Sequence, residues 1–382
     1  MPLRQLHVPG DRAGPFLVSL SPPARFGRVV TAMVTPFDDD LALDLDGARV
    51  LARHLVATGS EGLVVTGTTG EAPTLSDSEK IELWRAVAES VTVPVLAGAG
   101  TNDTAHSIRL TREATATGVA GILAVTPYYN RPSQAGLVGH FQAIAASTEL
   151  PVLLYDIPSR TGRRISPTTL LELARTTGNV VGVKDAAGDV AATAALVAAV
   201  EQGGIGFEVY SGDDALTLAL LAVGAVGVVS VVAHWAGREL QEMIECFTSG
   251  RVHEARQINA ALIASYDFFS SEESPSPLPT KAMLRLLRMP AGRCRPPLDP
   301  DGAGLAERAA AVLAALRGTA DARPPNPMRD DGPPSSQLGT PVVSTDESLF
   351  EPAGTSRDRS PIRSGQPVTT ARPGSSERSL CL

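Results

Sequence analysis

Short runs of apolar, often β-branched residues alternate along this chain with longer segments whose apolar residues recur every three or four positions. Eight of the short runs predict strands: Val29–Val34, Gly62–Gly67, Pro94–Gly98, Gly121–Thr126, Pro151–Ile157, Val180–Asp185, Phe207–Ser211 and Gly227–Ala233. Segments of helical period lie between them, among them Ser76–Ser90, Thr104–Thr117 and Gln134–Ser147. Start signals mark several: Ser76 with Glu79 forms a capping box, and Ser166 before Pro167 is an N-cap with proline at the first helical position. Repeated β/α alternation predicts an α/β fold, a (β/α)8 TIM barrel over residues 27–236. A doubly wound open sheet is the competing arrangement, but no GxGxxG turn follows the first strand.

After the eighth strand, Gly237–Ser249, Val252–Phe268, Lys281–Leu287 and Gly304–Leu316 predict a C-terminal helical extension over 237–317. Residues 1–26, rich in Pro, Arg and Gly, predict a loose N-terminal arm. Residues 318–382 combine Pro, Ser, Thr and Arg with few apolar side chains, too little to offset the entropy of ordering, and predict a disordered tail. The longest apolar stretch, Leu216–Ala236, is interrupted by Gly224 and Gly227 and divides into a helix and a strand, so no membrane span is expected. The N-terminus lacks an apolar core long enough for a signal peptide. Met33 is unsuitable as a start, since initiation there would delete part of the barrel.

Composition narrows the function classes. Arg and Lys number 33 against 41 Asp and Glu, a net charge of −8, which argues against nucleic acid or an anionic membrane as partner. The three cysteines, Cys246, Cys294 and Cys381, lie far apart without ligand or CxxC spacing, which predicts a reducing, cytoplasmic compartment. No metal is expected and no cofactor is implied, because no His/Cys/carboxylate triad reaches the strand ends; His234 stands alone and reads as structural.

In a barrel of this kind the chemistry gathers at the C-terminal ends of the strands. Five strands deliver polar residues there: Gly67-Thr68-Thr69-Gly70-Glu71, Thr126-Pro127-Tyr128-Tyr129-Asn130, Tyr155 through Arg160 to Thr161, Lys184, and Ser211-Gly212-Asp213-Asp214. Singly, each has a simpler explanation: an ordinary turn, a core tyrosine with a wet hydroxyl, a surface arginine, a lysine emerging into solvent. Collected on one rim around a lysine, they point to chemistry. A lysine at the end of a buried strand is driven towards its neutral, nucleophilic form. Such an amine condenses with a keto group, and the resulting imine is an electron sink for a carbanion-like nucleophile. A tyrosine with neighbouring hydroxyls supplies the proton shuttle. The Gly67–Gly70 turn offers N–H groups and hydroxyls to one carboxylate, and Arg160 suits a second. A keto acid with an acidic acceptor is the substrate class that fits.

From about Gly27 to Leu316 the chain resembles the dihydrodipicolinate synthase family, within the class I aldolase superfamily that includes N-acetylneuraminate lyase. The resemblance rests on GTTGE at 67–71, TPYYNRPSQ at 126–134, LLYDIPSRTG at 153–162, VVGVKDA at 180–186 and SGDDA at 211–215. It implies that Lys184 forms a Schiff base with pyruvate. It further implies that Tyr155 is the central acid/base group, relayed through Thr68 to Tyr129, which in this family reaches in from a neighbouring subunit. Thr69 with Thr68 would hold the pyruvate carboxylate, Arg160 the carboxylate of L-aspartate 4-semialdehyde, and the backbone of Gly212 and Val229 would shape the pocket. The implied product is 4-hydroxy-tetrahydrodipicolinate, on the route to diaminopimelate and lysine, and the implied assembly is a homotetramer, a dimer of dimers.

In lysine-inhibited members, lysine sits at an interface beside the active site, at positions that would include Ala72, Pro73, Lys80, Asn102, His106 and Tyr128. Inhibited enzymes typically carry histidine where Lys80 stands and glutamate where His106 stands. Cationic Lys80 would repel a cationic ligand, so the expectation is weak or absent inhibition by lysine, which half-inhibition at submillimolar lysine would contradict. Two other readings share the lysine. One is a pyruvate-dependent aldolase or lyase acting on a sugar acid or another aldehyde, which has less use for Arg160. The other is a non-catalytic keto-acid-binding paralogue, against which none of the expected catalytic positions is substituted.

Overall fold

The computed structural model describes residues 24–269, 271–298 and 300–321. All eight predicted strands form: β1 (Val29–Ala32), β2 (Gly62–Val65), β3 (Val95–Gly98), β4 (Gly121–Val125), β5 (Val152–Asp156), β6 (Val180–Asp185), β7 (Glu208–Ser211) and β8 (Gly227–Ser230). They pair in parallel in chain order, and β8 closes on β1, so the sheet is a closed barrel. Each strand alternates between two apolar layers. Val64, Leu96, Leu123, Leu153 and Tyr155 fill the barrel, while Leu63, Val65, Val95, Ile122 and Leu154 pack outward against the helices.

β6 departs from simple alternation, and the departure matters for the site. Its register with β5 slips between Val152↔Val180 and Leu153↔Gly182, an irregularity of the β-bulge type. Val181 belongs to the barrel interior and Val183 to the outer layer, so the phase changes at Gly182. Beyond it Lys184 pairs with inward-facing Tyr155 and Tyr210, whereas unbroken alternation from Val181 would aim it outward. A Cβ at Gly182 would lie 2.2 Å from the Glu208 carbonyl oxygen, so only glycine fits there.

The helices between the strands are α1 (Leu45–Ala57), α2 (Asp77–Ala88), α3 (Thr104–Thr115), α4 (Gln134–Ala145), α5 (Pro158–Thr161), α6 (Pro167–Thr176), α7 (Val190–Gln202) and α8 (Thr217–Ala222). The Ser76–Glu79 capping box is formed in both directions, and Ser166 caps α6 with proline in its first turn. Four helices follow the barrel: α9 (Ala233–Thr248), α10 (Val252–Phe268), α11 (Leu278–Leu286) and α12 (Leu305–Asp321). The first, second and fourth share an apolar cluster with Val29 and Val228 of the barrel.

Most element ends shift by a residue or two from the sequence reading, and α11 starts at Leu278 rather than Lys281; three other differences are more telling. β8 stops at Ser230, not Ala233, because the next N–H groups are claimed by a cap: the Asp214 carboxylate accepts from Val231 (2.9 Å) and Val232 (3.2 Å), and Ser230 Oγ accepts from Ala233 (2.8 Å). The apolar run therefore turns helical in its middle, and α9 begins before Gly237. The helix expected to end at Leu316 continues to Asp321, so the first residues assigned to the 318–382 tail are helical; residues beyond 321 lie outside the described ones. Of the arm expected over 1–26, residues 1–23 also lie outside, but Phe26 is not loose. It is 1% exposed in the barrel-interior cluster, with its N–H donating to the Tyr210 hydroxyl at 3.2 Å.

Candidate active site

Lys184 is the penultimate residue of β6 and 5% exposed, and its Nζ lies 4.2 Å from the centroid of the Tyr155 ring. Burial lowers the ammonium pKa to about 8; Asp214 acts in the opposite sense and Arg160 in the same sense as burial. The lysine is therefore buried and facing a phenol, not the solvent-facing strand end of the simpler reading. Gly212 makes room beside it, since a Cβ there would stand 3.0 Å from Lys184 Cγ and 2.9 Å from Ala186 Cβ. The Gly212 N–H donates to the Asp185 carbonyl at 2.7 Å, which fixes the turn after β7.

Tyr155 is 4% exposed at the end of β5. Burial pushes its phenol up to about 12, while the Arg160 cation and a hydrogen bond with the Thr68 side chain pull the other way. The phenol is thus protonated at neutral pH and joined to Thr68, which suits a group that passes protons rather than one that rests as a phenolate.

The Thr68–Thr69 turn is shaped by unusual backbone on both sides: Thr66 has φ 58° and Glu71 φ 55°. Thr66 is held there by its own hydroxyl, which accepts from the Trp84 indole N–H (2.7 Å) and donates to the Gly98 carbonyl (3.2 Å). Glu71 N–H donates to Thr68 O, Ala72 N–H to Gly67 O, and the Thr35 hydroxyl to Gly70 O (2.6 Å). Among the described residues, the N–H groups of Thr68, Thr69 and Gly70 have no protein acceptor, as an anion-binding turn requires. Thr69 is buried, whereas Thr68 is half-buried on a cavity of about 440 Å³.

That cavity is also lined by Tyr155, Ile157 and Arg160. Arg160 sits on the one-turn α5, exposed, and its guanidinium is bonded to no other described residue, which leaves it available to a carboxylate. Val229 lies deeper: it is packed in the barrel interior with Val30 and Tyr210 and does not line this cavity. Tyr129 is not brought to the cavity within one chain. Its side chain is 92% exposed, on a left-handed backbone (φ 72°). The loop that carries it is nevertheless clasped: Asn130 donates to the Asn102 carbonyl (2.8 Å), Arg131 Nε to the Gly162 carbonyl (2.8 Å), and Arg163 back to the Arg131 carbonyl (2.9 Å).

Ala72, Pro73, Lys80, Asn102, His106 and Tyr128 all line the same cavity. Lys80 thus faces it rather than turning away on α2, and burial lowers its pKa with Asp77 opposing. Asp77 also pairs with the His106 ring at 2.9 Å. His234 is structural, as expected: its Nε2 accepts from the Val34 N–H (3.1 Å), which leaves the proton on Nδ1, 2.7 Å from the Val231 carbonyl.

Three residues near the site were placed on the rim by the sequence but given no role there. Asp214 caps α9 and acts on Lys184 electrostatically; SGDDA contains it, but only Gly212 stood out there. Asp156, beside Tyr155, is buried and its carboxyl is raised to about 7 by burial. Glu71 closes the threonine turn and pairs with Lys281, a partner 210 positions away that no local pattern announces.

Residues 25–315 match the Dihydrodipicolinate synthetase family. A 4-hydroxy-tetrahydrodipicolinate synthase of Moorella thermoacetica is 52% identical over 278 residues, which cover 72% of this chain and 92% of that one. Two solved structures illustrate the likeness in fold. Dihydrodipicolinate synthase from Cyanidioschyzon merolae with lysine bound is similar at a TM-score of 0.73 and 41% identity, covering 76% of this chain and 98% of the other. Chloride-inhibited dihydrodipicolinate synthase from Acinetobacter baumannii complexed with pyruvate is similar at a TM-score of 0.71 and 33% identity, covering 76% and 99%.

Proposed function

The chain belongs to the dihydrodipicolinate synthetase family and has 4-hydroxy-tetrahydrodipicolinate synthase activity, and from that premise we propose how its residues divide the work. Neutral Lys184 Nζ attacks the keto carbon of pyruvate, and loss of water gives the protonated imine. The methyl carbon then gives up a proton, and the resulting enamine attacks the aldehyde carbon of L-aspartate 4-semialdehyde. The acceptor's amine adds to the imine carbon and expels Lys184, which closes the ring as 4-hydroxy-tetrahydrodipicolinate. Tyr155 carries protons to and from the carbinolamine and the new hydroxyl, through Thr68. Thr68 and Thr69 hold the pyruvate carboxylate, and Arg160 holds that of the semialdehyde in a bidentate pair. Gly212 leaves space beside Lys184, and Val229 packs in the barrel-interior cluster that holds Tyr155. Tyr129 completes the relay from a neighbouring subunit of a homotetramer, in the cytoplasm.

One observation carries this reading: a buried lysine lowered to about 8 and 4.2 Å from a tyrosine ring, with an unpaired arginine at the mouth of the adjoining cavity. Borohydride reduction with pyruvate should leave one 1-carboxyethyl group on Lys184 Nζ, read by intact and peptide mass. Arg160→Ala should lower kcat/KM for the semialdehyde by about 100-fold or more while leaving pyruvate trapping near normal. An unlabelled Lys184 overturns the imine, and a sugar-acid aldehyde turned over in preference to the semialdehyde overturns the acceptor.

A further inference from the structure

Glu71 ends the Gly67–Glu71 turn, yet no step above uses it. Its backbone is left-handed (φ 55°), a conformation glutamate keeps only where its surroundings impose it. Those surroundings come from the C-terminal extension. Lys281 Nζ on α11 lies 2.7 Å from Glu71 Oε1, with both side chains fully buried. The Arg295 N–H donates to Oε2 at 2.8 Å, and burial, together with the same carboxylate, pushes the Cys294 thiol up. Lys281 is fixed in turn, donating to the Arg293 carbonyl (2.9 Å) and standing 4.3 Å from the Phe37 ring centroid. Arg295 also ties down the segment after the turn: it donates to the Thr74 carbonyl (2.8 Å) and pairs with Glu79 (2.6 Å).

A buried ion pair is a poor source of stability, because the desolvation of two charges consumes most of their attraction. What it supplies over an apolar pair is direction: the carboxylate must lie where the ammonium and the N–H meet it. We propose that the Glu71–Lys281 pair is a positioning device for pyruvate, by which the C-terminal extension holds the Gly67–Gly70 turn in the shape that receives the substrate carboxylate. The proposal rests on the reading that Thr68 and Thr69 bind that carboxylate.

The test is the pyruvate concentration that gives half-maximal borohydride labelling of Lys184, measured beside KM for the semialdehyde at saturating pyruvate. Each single neutralisation leaves one buried charge alone, so the double variant Glu71→Gln/Lys281→Met, which buries neither charge, is the main one. Its pyruvate half-saturation should rise about tenfold or more, with semialdehyde KM within about twofold of the parent. Glu71→Asp keeps both charges but withdraws the carboxylate by one methylene, and should show the same selective rise in smaller degree. A half-saturation unchanged in either variant, whatever its thermal stability, overturns the proposal. Thr69→Ala separates the two layers of inference. If it raises the half-saturation and the pair variants do not, only the positioning role falls; if it too has no effect, the assignment of the carboxylate to this turn falls.

Discussion

At the scale of single residues, the decisive quantity is the protonation of Lys184. A lysine attacks pyruvate only as the free amine, so imine formation tracks the deprotonated fraction. With the pKa lowered to about 8, trapping at low pyruvate should rise about tenfold per pH unit from 6 to 7, bend near 8 and level off above it. An ordinary lysine, near 10.4, would keep rising well past pH 9. Tyr155, raised to about 12, adds no falling limb in that range. A rate of borohydride labelling that still climbs steeply beyond pH 9.5 would therefore refute the lowered pKa. Lys184, Tyr155 and Arg160 were all legible in the sequence as polar residues at strand ends. Asp214 was legible as a rim residue but its influence on Lys184 was not, because that depends on β7 and β6 being neighbours and on the carboxylate being buried.

At the scale of elements, the period-2 and period-3.6 patterns located every strand and the main helices, since those patterns record which face each element buries. They erred where a side chain from elsewhere in the chain sets the boundary. The start of α9 inside an apolar run depends on Asp214, which the run itself does not contain. The Gly182 irregularity that re-aims Lys184 is likewise invisible in a run that reads Val-Val-Gly-Val-Lys-Asp. Phe26 is the clearest case. Assigned to a loose arm on composition, it packs into the barrel floor against Tyr210, 6.5 Å between ring centroids. Gly121 leaves it space, for a Cβ there would lie 3.0 Å from the Phe26 ring. Phe26→Ala should destabilise the barrel by about 3–5 kcal/mol in denaturant unfolding, as large-to-small changes in a packed core do. A loss below about 1 kcal/mol would return Phe26 to the arm.

At the scale of the whole molecule, Tyr129 tests whether one chain is enough. An exposed tyrosine on a left-handed backbone, in a loop clasped by Arg131 and Arg163, is held rigidly outward, as a residue serving a neighbouring subunit would be. Lys184→Ala and Tyr129→Phe subunits, each inactive or impaired alone, should regain about a quarter of normal activity after dissociation and equal mixing, since half the dimers then hold one complete site. No recovery would mean that Tyr129 acts within its own chain or not at all. By itself, the sequence determined the barrel and the polar residues, Lys184 among them, that gather at its strand ends, because these follow from local periodicity and from residue types at strand ends. Only the tertiary structure decided which way Lys184 points, how far burial lowers its pKa and what holds the threonine turn. Those depend on a register slip, on neighbouring strands and on a Glu71–Lys281 contact across most of the chain, and none of these leaves a trace in local pattern.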